Sequence, residues 1–383
     1  LDDSARFAEL EALAAQSGGT IRVRAARLGQ APPHRHEKLE RALRLEARRL
    51  TRRVPAGLRT SSFSAMARSQ DSVPLSTQAR EGRDIDEGTS FDVILLTGDV
   101  KVGDAMGGSV AVTLAEFPRG PKPGELLHAI LEKVARQESR GSKGQITPLP
   151  QLVEGELRRH GFEGTHLPVV LQAIEEVLAT PFLGPPDATF RAVLAGACVP
   201  EMEFTVPVAS ALVSAVRGGE GGEGGLTARR IAKVFAEETA APWGQHYPTR
   251  LARLAFGAWS GFLRGFIDLV FEREGRYFVV DYKSNHLGPT RDHYASAFLS
   301  PVMEEHHYHL QYVLYSVALD RYLRRRIVDY SFERHFGGVY YLFLRGMHPA
   351  TGAERGVFFH RPSAQLIERV STLLGEPEVA PCH

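Results

Sequence analysis

Cysteine is nearly absent from this chain: of 383 residues, only Cys198 and Cys382 carry a thiol. Two thiols so far apart give no disulfide framework and point to a reducing compartment. They also cannot supply the four thiolates of an iron–sulfur cluster, so no iron–sulfur cluster is expected. An excess of one charge is missing too. The 46 Lys and Arg nearly balance the 45 Asp and Glu, leaving a formal charge of +1. Whole-molecule attraction to a polyanion is thereby excluded, and any nucleic-acid contact must come from local patches. No apolar run is long enough to span a bilayer, and no signal peptide is expected. No G-x4-G-K-[ST] loop occurs, which excludes a phosphate-cradling motor site from these residues.

What remains is ordinary globular composition, with 43% hydrophobic and 24% charged residues. The length suffices for one large or two medium domains with a substantial core. The chain opens with Leu inside a helical pattern, so a fragment of a larger protein is expected.

The most informative stretch is 265–285, GFIDLVFEREGRYFVVDYKSN. Two β-branched and aromatic runs, 266–271 and 277–280, flank a polar Glu-Arg-Glu-Gly-Arg segment, the pattern of a β-hairpin. A turn centred on Glu274 and Gly275 places Asp268 opposite Asp281. Directly opposed residues have Cβ atoms about 4.5–5.5 Å apart, and Lys283 falls on the same face as Asp281. Two facing carboxylates repel, so a cation between them is expected, and removing one should leave stability unchanged or raise it. Hard divalent ions such as Mg²⁺ take such oxygen ligands. A lysine beside the ion can orient or deprotonate a water, or neutralise a phosphate. The competing reading is a hairpin with isolated charges on an exposed edge. The aliphatic neighbours favour burial, and buried charges need partners.

Around the hairpin the pattern is mixed. Residues 4–16 have helical periodicity and stop at Gly18-Gly19, followed by a strand-like 20–23. Residues 37–54 form a charged helical stretch with six arginines from Arg41 to Arg53, read as a solvated face in preference to a phosphate-binding or subunit-contacting linker helix. Residues 124–136 carry an apolar helical stripe with His128 beside it. Alone, such a histidine is a packed residue. Two further helices are expected over 149–160 and 167–178. Residues 201–207 alternate like a strand, which puts Glu201 and Glu203 on one face. The RGGEGGEGGL run over 217–226 reads as a flexible connector. One long helical region follows over 291–326, with Gln311 and Tyr315 on a shared face. His306, His307 and His309 copy no zinc spacing and read as a solvated helix end. Arg321, Arg324, Arg325 and Arg326 suit a helix C-terminus. A strand over 337–344 ends at Arg345, and a last helix covers 364–374.

Asp268 followed by Asp281-Tyr282-Lys283 resembles the D…(D/E)-x-K signature of the PD-(D/E)XK nuclease superfamily. The string GFIDLVF…EGRYFVVDYKSN is similar to the RecB-type nuclease domains of exodeoxyribonuclease V. So are FPRGPKPGELLHAILE upstream and LQYVLYSVALDRYLRRRI and HFGGVYYLFLRGM downstream, from about Ser61 to about Leu374. LAAQSGGTIRV resembles the end of the helicase portion.

The resemblance implies residues 1–58 as helicase end and linker, and 59–383 as the nuclease domain. It implies an α/β fold, a central mixed sheet flanked by helices. It implies Mg²⁺, with Mn²⁺ as a substitute, held by His128, Asp268, Asp281 and the Tyr282 backbone carbonyl. Lys283 would act on water, with Glu201 (in preference to Glu203), Gln311 and Tyr315 supporting the site, and Arg119 leading DNA in. Partners implied are single-stranded and linear duplex DNA and RecC-like and RecD-like subunits, in the bacterial cytoplasm at the nucleoid. Two other readings stay open. A stand-alone endonuclease on the same scaffold would lack the flanking blocks. An inactive DNA- or subunit-binding module would not need Asp268, Asp281 and Lys283 together.

Overall fold

The computed structural model describes residues 3–24, 59–63, 66, 110–139, 146–183, 188–208, 226–254, 256 and 261–375. It divides into a unit Leu1–Pro55 and a unit Ala56–His383. In the first, helix α1 (Asp3–Gln16) ends where Gly18 and Gly19 take positive φ. Residues 20–23 form no strand. Their apolar content is one isoleucine and one valine, and no strand among the described residues pairs with them. The arginine-rich 37–54 and most of the glycine-rich connector lie outside the described residues.

In the second unit the described elements run β1 (Arg59–Ser61), α2 (Pro121–Ser139), α3 (Leu149–Arg159), α4 (Leu167–Ala179), α5 (Phe190–Leu194), β2 (Cys198–Val208), α6 (Ala228–Ala236) and α7 (Tyr247–Leu251). They continue with β3 (Gly261–Arg273), β4 (Arg276–Lys283), α8 (Ser296–Glu305), α9 (Tyr308–Arg324), α10 (Phe332–His335), β5 (Phe336–Phe343), β6 (Val357–His360) and α11 (Ala364–Leu374). The strands form one mixed sheet in the order β1-β3-β4-β5-β6, with β2 on the other edge of β3.

The β3–β4 hairpin closes on Arg273 opposite Arg276, and Glu274 and Gly275 have φ of 55° and 75°. Positive φ at both central residues is the type I′ turn, whose twist matches that of the strands. Strand β4 then pairs in parallel with β5, which is buried along its whole length. One face of the sheet packs on α2–α5 through Leu269, Phe271, Val280, Tyr282 and Leu342. The other packs on α6, α9 and α11 through Ile267, Val270, Val279, Tyr341 and Phe343.

Helix α9 lies buried against that second face. The region read as one long helix is broken between α8 and α9, where His307 adopts φ 56°. The break turns α9 inward, so the histidines are not at a solvated end. His309 is fully buried.

Candidate active site

A fork in the sheet makes the site. Strand β2 follows β3 along one edge from Gly261 to Phe271. On the other edge β1 pairs only with Gly261, Phe262 and Leu263, and β4 begins at Leu269 opposite Val280. Asp268 lies one position beyond that last pair, and its side chain closes the gap. Its Oδ2 accepts the Tyr282 amide N–H at 2.6 Å, and its Oδ1 stands 3.4 Å from His128 Nδ1. His128 comes from the half-buried edge of α2, whose apolar stripe packs on the sheet. The Tyr282 ring lies edge-on to His128 at 5.6 Å and to Phe190 at 5.9 Å. Its hydroxyl is buried without a hydrogen-bond partner. Burial above all, and then the charge of Asp268, pushes that phenol well above its usual range.

Asp281 and Lys283 leave β4 on the opposite side, under α9, and both are buried. Lys283 Nζ lies 2.7 Å from Asp281 Oδ2 and donates to Gln311 Oε1 at 3.1 Å. The same Nζ stands 4.0 Å from the centre of the Tyr308 ring, a cation–π contact. Gln311 Oε1 also accepts from the Tyr341 hydroxyl at 2.8 Å, and Gln311 Nε2 donates to the Tyr315 hydroxyl at 3.1 Å. Tyr315 is located in turn by the Phe204 ring at 5.5 Å. That packing needs Gly265, since a Cβ there would sit 2.7 Å from Phe204. Gln311 therefore holds Lys283 in place, and Tyr315 holds Gln311.

Glu201 and Glu203 have different surroundings. Glu201 sits between Pro200, opposite Leu269, and Met202, opposite Ile267, and so lies across from Asp268. Its φ is 51°, left-handed for a non-glycine residue. The alternation reverses there. Cys198 packs with the α2–α5 core, whereas Met202, Phe204 and Val206 pack on the other core. Glu201 is close enough to Tyr282 to raise its pKa, while Glu203 forms an exposed ion pair with Arg264 at 2.8 Å.

Sequence reasoning missed three residues. Tyr308 and Tyr341 surround Lys283, and nothing in their spacing marked them. Arg345 is buried and donates to the carbonyls of Ser284 (2.8 Å), Leu114 (2.6 Å) and Pro118 (2.6 Å). It ties the segment leading into α2, and so His128, to the chain leaving Lys283. Its signal was an arginine closing an apolar strand, since a buried guanidinium must find carbonyl partners. Arg119 is exposed beside this clamp.

Among the described residues no three His, Cys, Asp or Glu side chains converge into a ready-made metal cluster. The expected repulsion between Asp268 and Asp281 is answered within the protein, by Lys283 on one side and by Tyr282 N–H and His128 on the other. The donor types nevertheless suit a hard divalent cation: the Asp268 carboxylate and the His128 imidazole stand 3.4 Å apart at the fork, and Asp281, next to Tyr282 on β4, offers a second carboxylate from the α9 side.

The histidines beside α9 carry a separate consequence. Burial first of all pushes His309 down to about 3 and His306, His307 and His360 to about 4. Above about pH 6.5 these rings are neutral in both folded and unfolded chains. Below it the unfolded chain binds protons that the fold refuses, so stability falls from about pH 6.5 towards about 4. For the fully buried His309 the slope is about 1.4 kcal/mol per pH unit. The urea midpoint is expected to drop between about pH 7 and pH 5, less steeply in His309→Phe. A midpoint constant over that interval would contradict the burial.

A profile of the PD-(D/E)XK nuclease superfamily matches residues 112–373. The chain is 36% identical over 259 residues to the RecBCD enzyme subunit RecB of Escherichia coli (strain K12), covering 67% of this chain and 19% of that protein. It is 31% identical over 353 residues to RecBCD enzyme subunit RecB of Mycobacterium tuberculosis (strain ATCC 25618 / H37Rv), covering 86% of this chain and 30% of that protein. A 122-residue stretch is 47% identical to RecBCD enzyme subunit RecB of Haemophilus influenzae, covering 32% of this chain and 10% of that protein. The chain spans less than a third of the length of these relatives.

Proposed function

Because the chain belongs to the PD-(D/E)XK nuclease superfamily, we propose that residues 59–383 are the DNA-cleaving domain of a RecBCD-type helicase–nuclease. Residues 1–58 would then be the end of the helicase portion and its linker. The observation that carries this reading is the buried Asp281–Lys283–Gln311 array beside the Asp268–His128 pair. Nucleases of this superfamily use divalent metal ions, and here Mg²⁺ is the proposed ion, with Mn²⁺ as a substitute. His128, Asp268, Asp281 and the Tyr282 carbonyl would hold it, and it would supply Lewis-acid polarisation of the phosphate and a more acidic water.

This chain's residues do the rest. The Tyr282 amide fixes the Asp268 carboxylate, leaving Oδ1 directed toward His128. Gln311 and Tyr308 fix the direction of Lys283 Nζ, which holds the attacking water or a phosphate oxygen by hydrogen bond. The water oxygen loses a proton as it bonds to phosphorus, the P–O ester bond breaks, and the departing oxygen takes up one proton in exchange. Working partners in this reading are RecC-like and RecD-like subunits and broken DNA ends, in the bacterial cytoplasm. No described helix is long and apolar enough to cross a membrane.

The direct test is incubation of this chain with single-stranded and linear duplex DNA, with Mg²⁺ and without ATP. Degradation that chelation abolishes is expected. A folded chain that cuts neither substrate in Mg²⁺ or Mn²⁺ would instead be a binding module. His128→Ala separates the RecB-type reading from the superfamily in general. It should weaken divalent-ion binding and cut cleavage by at least about tenfold. Normal cleavage with unaltered metal dependence would make His128 a packed helix residue.

A further inference from the structure

Beyond the fork, the face of β3 that carries Asp268 is partly exposed to solvent. The α2–α5 layer packs on Leu269 and Phe271. Outward from Asp268 the alternate positions Phe266, Arg264 and Phe262 point away from the core formed by Leu263 and Ile267. Phe262 is 40% exposed, the Arg264 side chain is 45% exposed, and Phe266 is half-buried. The partner positions on β2 are Pro207, Thr205 and Glu203. The guanidinium carbon of Arg264 lies 5.8 Å from the centre of the Phe266 ring.

An aromatic–cation–aromatic row on a sheet, starting at a catalytic carboxylate, has the make-up of a stacking platform for unpaired bases. A large aromatic left in solvent on a strand is more often a neutral surface feature. Two of them, interleaved with an arginine and in line with Asp268, call for an occupant. We propose that this ledge binds single-stranded DNA, stacking bases on Phe262 and Phe266 and holding the intervening phosphate on Arg264, so that the strand is fed to Asp268.

Geometry selects the single strand over the duplex. Phe262 and Phe266 are four residues apart, roughly 13 Å along a strand at about 3.3 Å per residue. Duplex bases lie stacked at about 3.4 Å per step and present no open face. Only an extended strand with splayed bases can reach both rings. Glu203 opposes the fit, because its carboxylate occupies Arg264. An exposed pair of this kind is weak, and an incoming phosphate can displace it.

The proposal rests on the reading of the site as a DNA-cleaving centre, and its test separates the two. Binding of a fluorescent oligothymidylate to the 383-residue chain is followed by anisotropy, with Ca²⁺ in place of Mg²⁺, across a salt series. Phe262→Ala and Phe266→Ala should each weaken single-strand binding by at least about fivefold. Duplex binding should change by less than about twofold, and Phe262→Trp should retain affinity. Arg264→Ala should reduce the salt slope by about 0.7. Glu203→Gln should tighten binding by freeing the guanidinium. Thermal melts establish that each variant is folded. Folded alanine variants that bind the oligonucleotide like wild type, or lose single strand and duplex equally, overturn the ledge while wild-type cleavage in Mg²⁺ stands. A wild-type chain that neither binds nor cuts DNA overturns the DNA-cleaving reading itself, and the ledge with it.

Discussion

Asp281→Ala is expected to lose cleavage by at least about a hundredfold and also to melt at a lower temperature than wild type. The loss of cleavage follows from removing a proposed metal ligand, which should cost no less than removing a residue that merely supports one. The stability change is opposite in sign to what the sequence alone suggests. Opposed carboxylates imply relief on removing one. In the folded protein, however, Asp281 Oδ2 lies 2.7 Å from Lys283 Nζ and both side chains are buried. Taking away one partner strands the other charge, which costs about 3–5 kcal/mol. Adding Lys283→Met to Asp281→Ala should restore most of the melting temperature and none of the cleavage, because a buried pair can often be replaced by apolar groups at little cost. An Asp281→Ala protein that melts at or above the wild-type temperature would show that this pair does not hold the fork together. One that cuts at the wild-type rate would remove Asp281 from the mechanism.

The difference between those two readings shows how far the sequence carries. The hairpin was legible because its signals are local: two apolar β-branched runs, with Glu274-Gly275 between them able to take positive φ. Register followed from the turn, and the structure has it from Arg273 opposite Arg276 to Leu269 opposite Val280. That placed Asp268, Asp281 and Lys283 within one small region. Their partners could not be read, because each comes from an element distant in sequence. Lys283 meets Gln311 and Tyr341, and Asp268 meets a backbone amide that a ladder would have used. A periodicity argument counts side chains and cannot see an amide released where strands part.

The same limit explains Glu201. Alternation assumes an unbroken strand, and a left-handed glutamate carries no mark in sequence. Its turn reverses the faces of β2, and position along the strand then sets Glu201 across from Asp268 at the fork and Glu203 across from Phe266. The buried histidines were missed for a different reason. Their polarity suggested solvent, while Trp243 and Phe358, far away in the chain, enclose His309 at ring distances of 5.4 and 5.7 Å. The family resemblance pointed to Gln311 and Tyr315. Their link to Lys283 became visible only with the hydrogen-bond chain.

Lys283→Gln is expected to reduce turnover by about two to four orders of magnitude, the range for losing a group that moves or positions a proton. It should also change how the protein responds to metal. In the wild type a divalent ion must compete with Lys283 Nζ for Asp281 Oδ2. A glutamine removes the competitor and leaves a buried carboxylate whose charge is uncompensated. The variant should therefore be destabilised without metal, and Ca²⁺ or Mg²⁺ should raise its melting temperature more than that of wild type, since a ligand stabilises in proportion to its affinity for the folded state. Gln311→Leu should follow in weaker form, because it removes the Oε1 acceptor at 3.1 Å and leaves Asp281 with its lysine. Were the metal-induced shift of Lys283→Gln smaller than that of wild type, Lys283 would be shaping the metal site rather than competing for it. Its loss of turnover would then be a consequence of lost metal rather than of lost proton control.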